Sequence, residues 1–339
     1  MRKLYAYRVL SKLWRLSRIT VLRREGLIVK TSETELWLDS ARSKRDLTLI
    51  SHAHSDHVPR NLGKVISTPE TASILKIFRD GFDWIDLRFG EYIGLGDVRI
   101  SAESSGHVLG SSQFLIDSGD ERLVYTGDLN VYDSIILKGA KPIEADKLVI
   151  EATYGSPNYI FPRREEIYAR IIDWIIKTIR SGEIPAFKVY ALGKAQEIMK
   201  LVNTYLKVPV ITSWTVSKIA EKYVDHGIRL SYLPIYSDEG LEAFSQGECV
   251  YIASKRRNPP SKRRIRWAVA TGWALRYRYS GFDEAFPLSG HSDYPGLIRY
   301  VEESRPREIY VIHGFVKSFV KQLRRRGFNA LELRESQEI

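Results

Sequence analysis

Residues 47–57 read Leu47-Thr48-Leu49-Ile50-Ser51-His52-Ala53-His54-Ser55-Asp56-His57. The apolar, β-branched opening predicts a buried strand, and four potential metal ligands then follow within six residues. The chain has only seven histidines, at 52, 54, 57, 107, 226, 291 and 313. A His-x-His-x-Asp-His cluster is therefore no chance accumulation. Strand ends hold side chains firmly while leaving their tips open, which suits a metal centre. Imidazole nitrogens and a carboxylate are donors that a borderline cation such as Zn²⁺ accepts, and no cysteine lies nearby. Four donors on so short a turn exceed what one tetrahedral ion takes from it, so two ions fit better than one.

Outward from this stretch, every histidine except His226 stands beside Gly, Ser or Asp at the end of a predicted strand. Short β-branched runs predict strands at 27–30, 35–38, 47–50, 65–67, 98–102, 112–116, 123–125 and 148–150, with one helix at 70–78. From Arg163 the period becomes helical, and Ile167, Ile171, Trp174, Ile175 and Ile179 share a face that ends at Gly182 and Pro185. Strand 187–191, helix 194–206, strand 210–211 and helix 216–226 then predict a small, parallel, doubly wound sheet. Strand-like segments at 267–271 and 307–312 and a helix at 316–326 close the pattern.

The histidine stretch resembles the signature of the metallo-β-lactamase fold, and the likeness continues in order along the chain. Asp39 ends a predicted strand, Ser105-Gly106-His107 follows another, and Tyr125-Thr126-Gly127-Asp128 a third. Glu151-Ala152-Thr153-Tyr154-Gly155, Ser289-Gly290-His291-Ser292-Asp293 and Val311-Ile312-His313-Gly314 are similar to the motifs of the β-CASP nucleases. The resemblance implies an αββα sandwich at 1–156 and 286–339, with a β-CASP cap, a small parallel α/β sheet, inserted at 157–285. It implies two zinc ions, with Mn²⁺ as a substitute. His52, His54 and His107 would bind the first ion, Asp56, His57 and His313 the second, and Asp128 both. Asp39 would orient the metal loop and Glu151 would orient His291. His291 would face the scissile phosphate and help protonate the leaving oxygen. Asp56 is open to a second role as proton shuttle for the nucleophile. Ala191-Leu192-Gly193-Lys194-Ala195-Gln196-Glu197 resembles a cap motif, where a helix start and Lys194 would hold a phosphate. The ending around 287–297 and 326–328 is similar to the compact exonucleases associated with DNA ligase and helicase genes, so a ligase or helicase partner is implied. A histidine at 313 accompanies RNA processing within the group, which leaves RNA and DNA both open.

The 339 residues, with 44% hydrophobic and 27% charged residues, describe an ordinary globular chain rather than a disordered or membrane-spanning one. A single cysteine, Cys249, excludes a disulfide scaffold. The basic segment 1–24 has no uninterrupted apolar run; Tyr5, Leu10, Leu13 and Leu16 fit a packed N-terminal segment of a cytoplasmic protein. The net charge of +11 is uneven, with +8 falling in 157–285. Residues 255–278 hold nine basic residues, among them Arg256, Arg257, Arg263, Arg264 and Arg276, and no acidic one. Trp267, Trp273 and Tyr277 are interleaved with them and Tyr279 follows, a composition suited to single-stranded nucleic acid. The functional expectation is a dinuclear-metal phosphodiesterase acting on single-stranded DNA or RNA from an end. The competing readings are a small-molecule hydrolase of the same fold and a non-catalytic nucleic-acid-binding subunit.

Overall fold

The computed structural model describes residues 18–333. The chain first forms β1 (Thr20–Arg23), β2 (Leu27–Lys30), β3 (Glu35–Leu38), β4 (Leu47–Leu49), β5 (Lys64–Ser67), α1 (Pro69–Leu75) and β6 (Asp83–Asp86). It continues with β7 (Tyr92–Leu95), β8 (Val98–Ser104), β9 (Ser112–Asp117), β10 (Arg122–Tyr125) and β11 (Lys147–Glu151). A helical stretch follows, with α2 (Arg164–Arg180), β12 (Ile184–Lys188), α3 (Lys194–Tyr205), β13 (Val210–Thr212) and α4 (Trp214–Asp225). Next come β14 (Leu233–Pro234), α5 (Asp238–Gln246), β15 (Val250–Ala253), β16 (Ile265–Ala270) and β17 (Glu284–Phe286). The described chain ends with α6 (Tyr294–Ser304), β18 (Glu308–Ile312), α7 (Val316–Arg325) and β19 (Ala330–Glu332).

Two sheets face each other, β1 to β6 in order and β19-β18-β11-β10-β9-β8-β7. Their inner faces share one core, in which Leu36, Leu38, Leu49 and Ile66 meet Ile100, Phe114, Ile116 and Val149. Alternation along each strand sends the neighbouring residues outward, where helices cover them. Val65 packs with Leu75 of α1 on one side, and Leu148, Ile150 and Val311 pack with Leu297, Val301, Phe319 and Leu323 of α6 and α7 on the other. The result is the αββα sandwich with helices outside both sheets.

The third sheet, β14-β13-β15-β12-β16-β17, is parallel throughout. Phe187, Ile252 and Ala268 pack on α2 and α3, while Ala186, Tyr251 and Trp267 face the opposite side with Phe244 of α5. Both faces are therefore covered, as parallel sheets require. The strand expected at 187–191 is three residues earlier. Pro185 pairs only with β16, and the β15 ladder starts at Ala186, so the missing N–H costs no ladder bond on that side. The helix expected at 70–78 stops at Leu75, after which Ile77 and Phe78 donate to residues three back and tighten the turn.

Ile74, Val108 and Leu109 of the sandwich pack with Leu192, Ile219 and Tyr223 of the third-sheet layer. This seam brings Leu192 to the histidine loop. Gly193 adopts φ +93°, and a Cβ there would stand 2.7 Å from a Val108 methyl, so the close approach needs glycine. Tyr5, Leu10, Leu13 and Leu16 lie outside the described residues. Among the described residues no helix is long and apolar enough to cross a membrane.

Candidate metal centre

β4 ends at Leu49, and the next residues turn out of the sheet to present His52, His54 and His57. His107 arrives from the loop after β8, Asp128 from the loop after β10. His52, His54, His107 and Asp128 each bring one donor atom to a point, all within 4.8 Å of one another. His52 Nε2 and His107 Nε2 stand 2.9 and 3.2 Å from His54 Nδ1. Asp128 Oδ2 is 3.5 Å from both His52 Nε2 and His107 Nε2.

The remaining nitrogens decide the tautomers. His107 Nδ1 donates to the Gly290 carbonyl at 2.7 Å, and His54 Nε2 to the Leu192 carbonyl at 3.3 Å. His52 Nδ1 is 3.0 Å from Ser51 Oγ, whose own proton goes to Asp39. Each imidazole is left with its lone pair aimed at the common point. Burial disfavours charge on all three. It lowers the His52 and His107 pKa well below the usual histidine value, helped by neighbouring histidines, and that of His54 to about 4. Neutral imidazoles are the form that binds metal.

Asp128 faces both ways. Its Oδ1 is 3.4 Å from His57 Nε2. His57 Nδ1 donates to Asp39 Oδ2 at 2.7 Å, and Asp39 also accepts from Ser51 N, Ser51 Oγ and Tyr125 Oη at 2.6, 2.5 and 2.7 Å. Asp39 holds φ +47°, a left-handed backbone conformation uncommon for a non-glycine residue, and four hydrogen bonds fix its carboxylate beside the loop. Burial works against a charged His57, but Asp128 and Asp39 outweigh it and raise its pKa to about 10. His313, also left-handed at φ +56°, places its ring 5.6 Å from that of His57. Asp56 and His313 are exposed and line a cleft of about 140 Å³ with Asp39, His57 and Tyr125. Neither joins the tight donor group.

Glu151, fully buried at the end of β11, accepts from Leu129 N at 3.1 Å, Thr153 N at 2.7 Å and His291 Nδ1 at 2.9 Å. Burial pushes its carboxyl up, but His291 and these donors prevail and hold it down at about 2. His291 responds in the opposite sense. Burial disfavours its charge, yet Glu151 and Asp128 raise its pKa overall. His291 Nε2 lies 3.9 Å from Asp128 Oδ2, and its ring borders an open cleft of about 320 Å³.

The donor set fits a divalent cation. Two donors of one tetrahedral zinc stand about 3.4 Å apart, which is the spacing of Asp128 from His52 and His107. It is too long for a hydrogen bond between them. Residues 284–330 match the family described as Zn-dependent metallo-hydrolase RNA specificity domain. The chain is 31% identical over 314 residues to a protein of Opitutus terrae named "Probable DNA ligase", covering 89% of this chain and 30% of that longer one. It is 25% identical to an RNase J-like protein of Methanocaldococcus jannaschii, over 79% of this chain and 81% of the relative. Together these likenesses support a β-CASP nuclease of the metallo-β-lactamase fold. A crystal structure of a protein of unknown function from Enterococcus faecalis shares this fold at TM-score 0.68 and 13% identity, covering 96% of this chain and all of that one.

Lys194 lines a small cleft with His54, His107, Asn130 and Gly290, and its ammonium lies 5.3 Å from the centre of the Tyr190 ring. Burial lowers its pKa to about 8 despite nearby Glu197. The helix start beside it offers less than expected, because Gly193 N–H is taken by Gln196 Oε1 and Ala195 N–H by the Tyr190 carbonyl. Trp273 and Arg276 sit on and after the 3₁₀ turn Gly272–Leu275, with Trp273 against Tyr154. Arg256, Arg257, Arg263 and Arg264 are not brought to the clefts around the histidines. Arg264 stands at the start of β16, the other end of the sheet from Leu192, and pairs with Glu183 and Asp283. Arg256 reaches the Gly281 carbonyl, Arg263 lies against Gly247, and Arg257 is exposed. Sequence reasoning missed Tyr125 as a hydrogen-bond donor and Arg164. Arg164 is held by Glu197 and the Ser289 carbonyl on the wall between both clefts.

Proposed function

We propose that this chain is a two-metal phosphodiesterase that cleaves single-stranded DNA or RNA from an end, with residues 1–156 and 286–339 as catalytic domain and 157–285 as cap. The convergence of His52, His54, His107 and Asp128, with the second oxygen of Asp128 turned to His57, carries this reading. His52, His54 and His107 would hold one Zn²⁺ and Asp56, His57 and His313 the other, with Asp128 serving both; Mn²⁺ suits the same donors. Such cations would supply charge neutralisation at the phosphate and a lowered pKa for water near neutral pH.

The chain's own groups do the rest. Asp39 fixes His57, and Asp56 at the open cleft takes the proton of the attacking water. Glu151 fixes His291, which keeps its Nε2 proton toward the open cleft and delivers it to the leaving oxygen as the phosphorus–oxygen bond breaks. Lys194 and Arg276 bind neighbouring phosphates. The likeness to a protein named for DNA ligation supports a role beside strand joining, with a ligase or helicase as partner.

The test is metal analysis of the purified full chain together with cleavage of labelled single-stranded DNA and RNA carrying a blocked 5′ or 3′ end. One polymer shortened from one end in Zn²⁺ or Mn²⁺ is expected. Neither polymer cut, with less than one ion bound per chain, overturns the proposal.

A further inference from the structure

A file of aromatic rings leads away from His291. Tyr154 lies 6.0 Å from His291, Trp273 lies 4.8 Å from Tyr154, and Phe315 and Tyr277 each lie 6.1 Å from Trp273, all between ring centres. Tyr159 closes the file from behind, 5.2 Å from Phe315 and 5.6 Å from Trp273. The file changes character along its length. Tyr154 and Tyr159 are each 3% exposed, Trp273 and Phe315 are half-buried, and Tyr277 is 57% exposed. The inner rings close on one another, with Tyr154 also 5.1 Å from Tyr159, while the outer end is open to solvent at Tyr277.

The rings are also fixed in place. Phe315 follows His313 by two residues, and its N–H donates to the Ala152 carbonyl at 2.7 Å. Trp273 rides on a 3₁₀ turn capped by Thr271, and the turn presses on Tyr154 so closely that a Cβ on Gly272 would stand 2.4 Å from the tyrosine hydroxyl. Arg276 and Arg278 flank the open end, are exposed, and pair with no acid among the described residues. Arg276 Nε is instead anchored by the Asn158 carbonyl.

Flat, pre-positioned rings beside unneutralised guanidinium groups match one ligand chemistry, an unpaired nucleobase with its adjoining phosphates. We propose that Trp273, Tyr277 and Phe315 form a stacking subsite for a nucleobase next to the reacting phosphate. The inference rests on the nuclease reading for its substrate and adds where a base is held. It also gives a reason for single-strand preference, because a base inside a duplex has both faces already covered.

The test measures binding of short phosphorothioate-linked single strands to the full chain, with each nucleotide replaced in turn by an abasic unit. Removing the base at one or two positions should weaken binding about tenfold. Tyr277→Ala and Trp273→Leu should show the same loss on the intact strand and no further loss on that abasic strand, and Tyr277→Phe should restore binding. Tyr277→Ala, at an exposed position, keeps the test valid if Trp273→Leu fails to fold. Equal weakening of intact and abasic strands by the variants, or wild-type binding by both, overturns the inference. Base-dependent binding without cleavage in metal would overturn the nuclease reading and leave the stacking subsite standing. Normal cleavage with base-independent binding would do the reverse.

Discussion

The histidine cluster has two unlike halves. Around His52, His54 and His107 every donor is drawn in, and each second nitrogen is tied to Ser51, Leu192 or Gly290. Around His57 only one imidazole is anchored, by Asp39, while Asp56 and His313 stand exposed beside a cleft. Residue types and chain neighbourhood are shared, so the difference lies in preorganisation. The closed half is built to keep a cation, and the open half to leave room beside one.

Asp128 serves both halves, so Asp128→Ala should reduce bound metal below one ion per chain and cleavage to background, measured by elemental analysis and strand cleavage. His313→Ala separates the halves: one ion should remain, and retention of both would remove His313 from the ligand set. Asp39→Asn should weaken metal binding in the open half about 10–100-fold, read by competition with a chelating dye, while the closed half changes little.

Smaller effects follow from protons. In chelator, an unfolded chain binds a proton at His54 below about pH 6.5, whereas the folded site resists it down to about 4. That contribution to stability is lost as pH falls through this window. For His57 the folded pKa is raised to about 10, so its contribution is complete below about 6.5 and fades as pH rises toward 10. His52 and His107 act in the sense of His54, and His291 in the sense of His57. Urea unfolding of the metal-free chain should therefore show greatest stability near pH 6.5, and a monotonic profile would contradict these assignments. Arg264→Ala should have the least effect, under twofold on strand binding, because that exposed guanidinium is neutralised by Glu183 and Asp283 far from the clefts.

The metal loop was legible because its donors follow a strand end in a chain poor in histidine, and β4 and β11 are apolar runs that admit no other setting. Other elements carry weak signals. β6 and β7 are half-exposed edge-side strands, with Gly94 inside β7. The helix from Tyr294 opens with Pro295 immediately after a site motif, so its Asp293 cap was absorbed into the motif reading. Charge density along the chain overstates the unpaired charge at Arg264 for a physical reason: its acidic partners, Glu183 and Asp283, are distant in sequence and come close only when the parallel sheet forms. The acceptors at Leu192 and Gly290 are backbone carbonyls, which any residue supplies and no sequence pattern marks.

Those two carbonyls tie the closed half to distant parts of the chain. His54 waits for an acceptor 138 residues later, and His107 for one 183 residues later. A nascent polypeptide that has emerged through Asp128 carries all four donors of the closed half without the contacts that aim two of them. The preorganised form of the closed half therefore depends on segments that follow its histidines far along the chain.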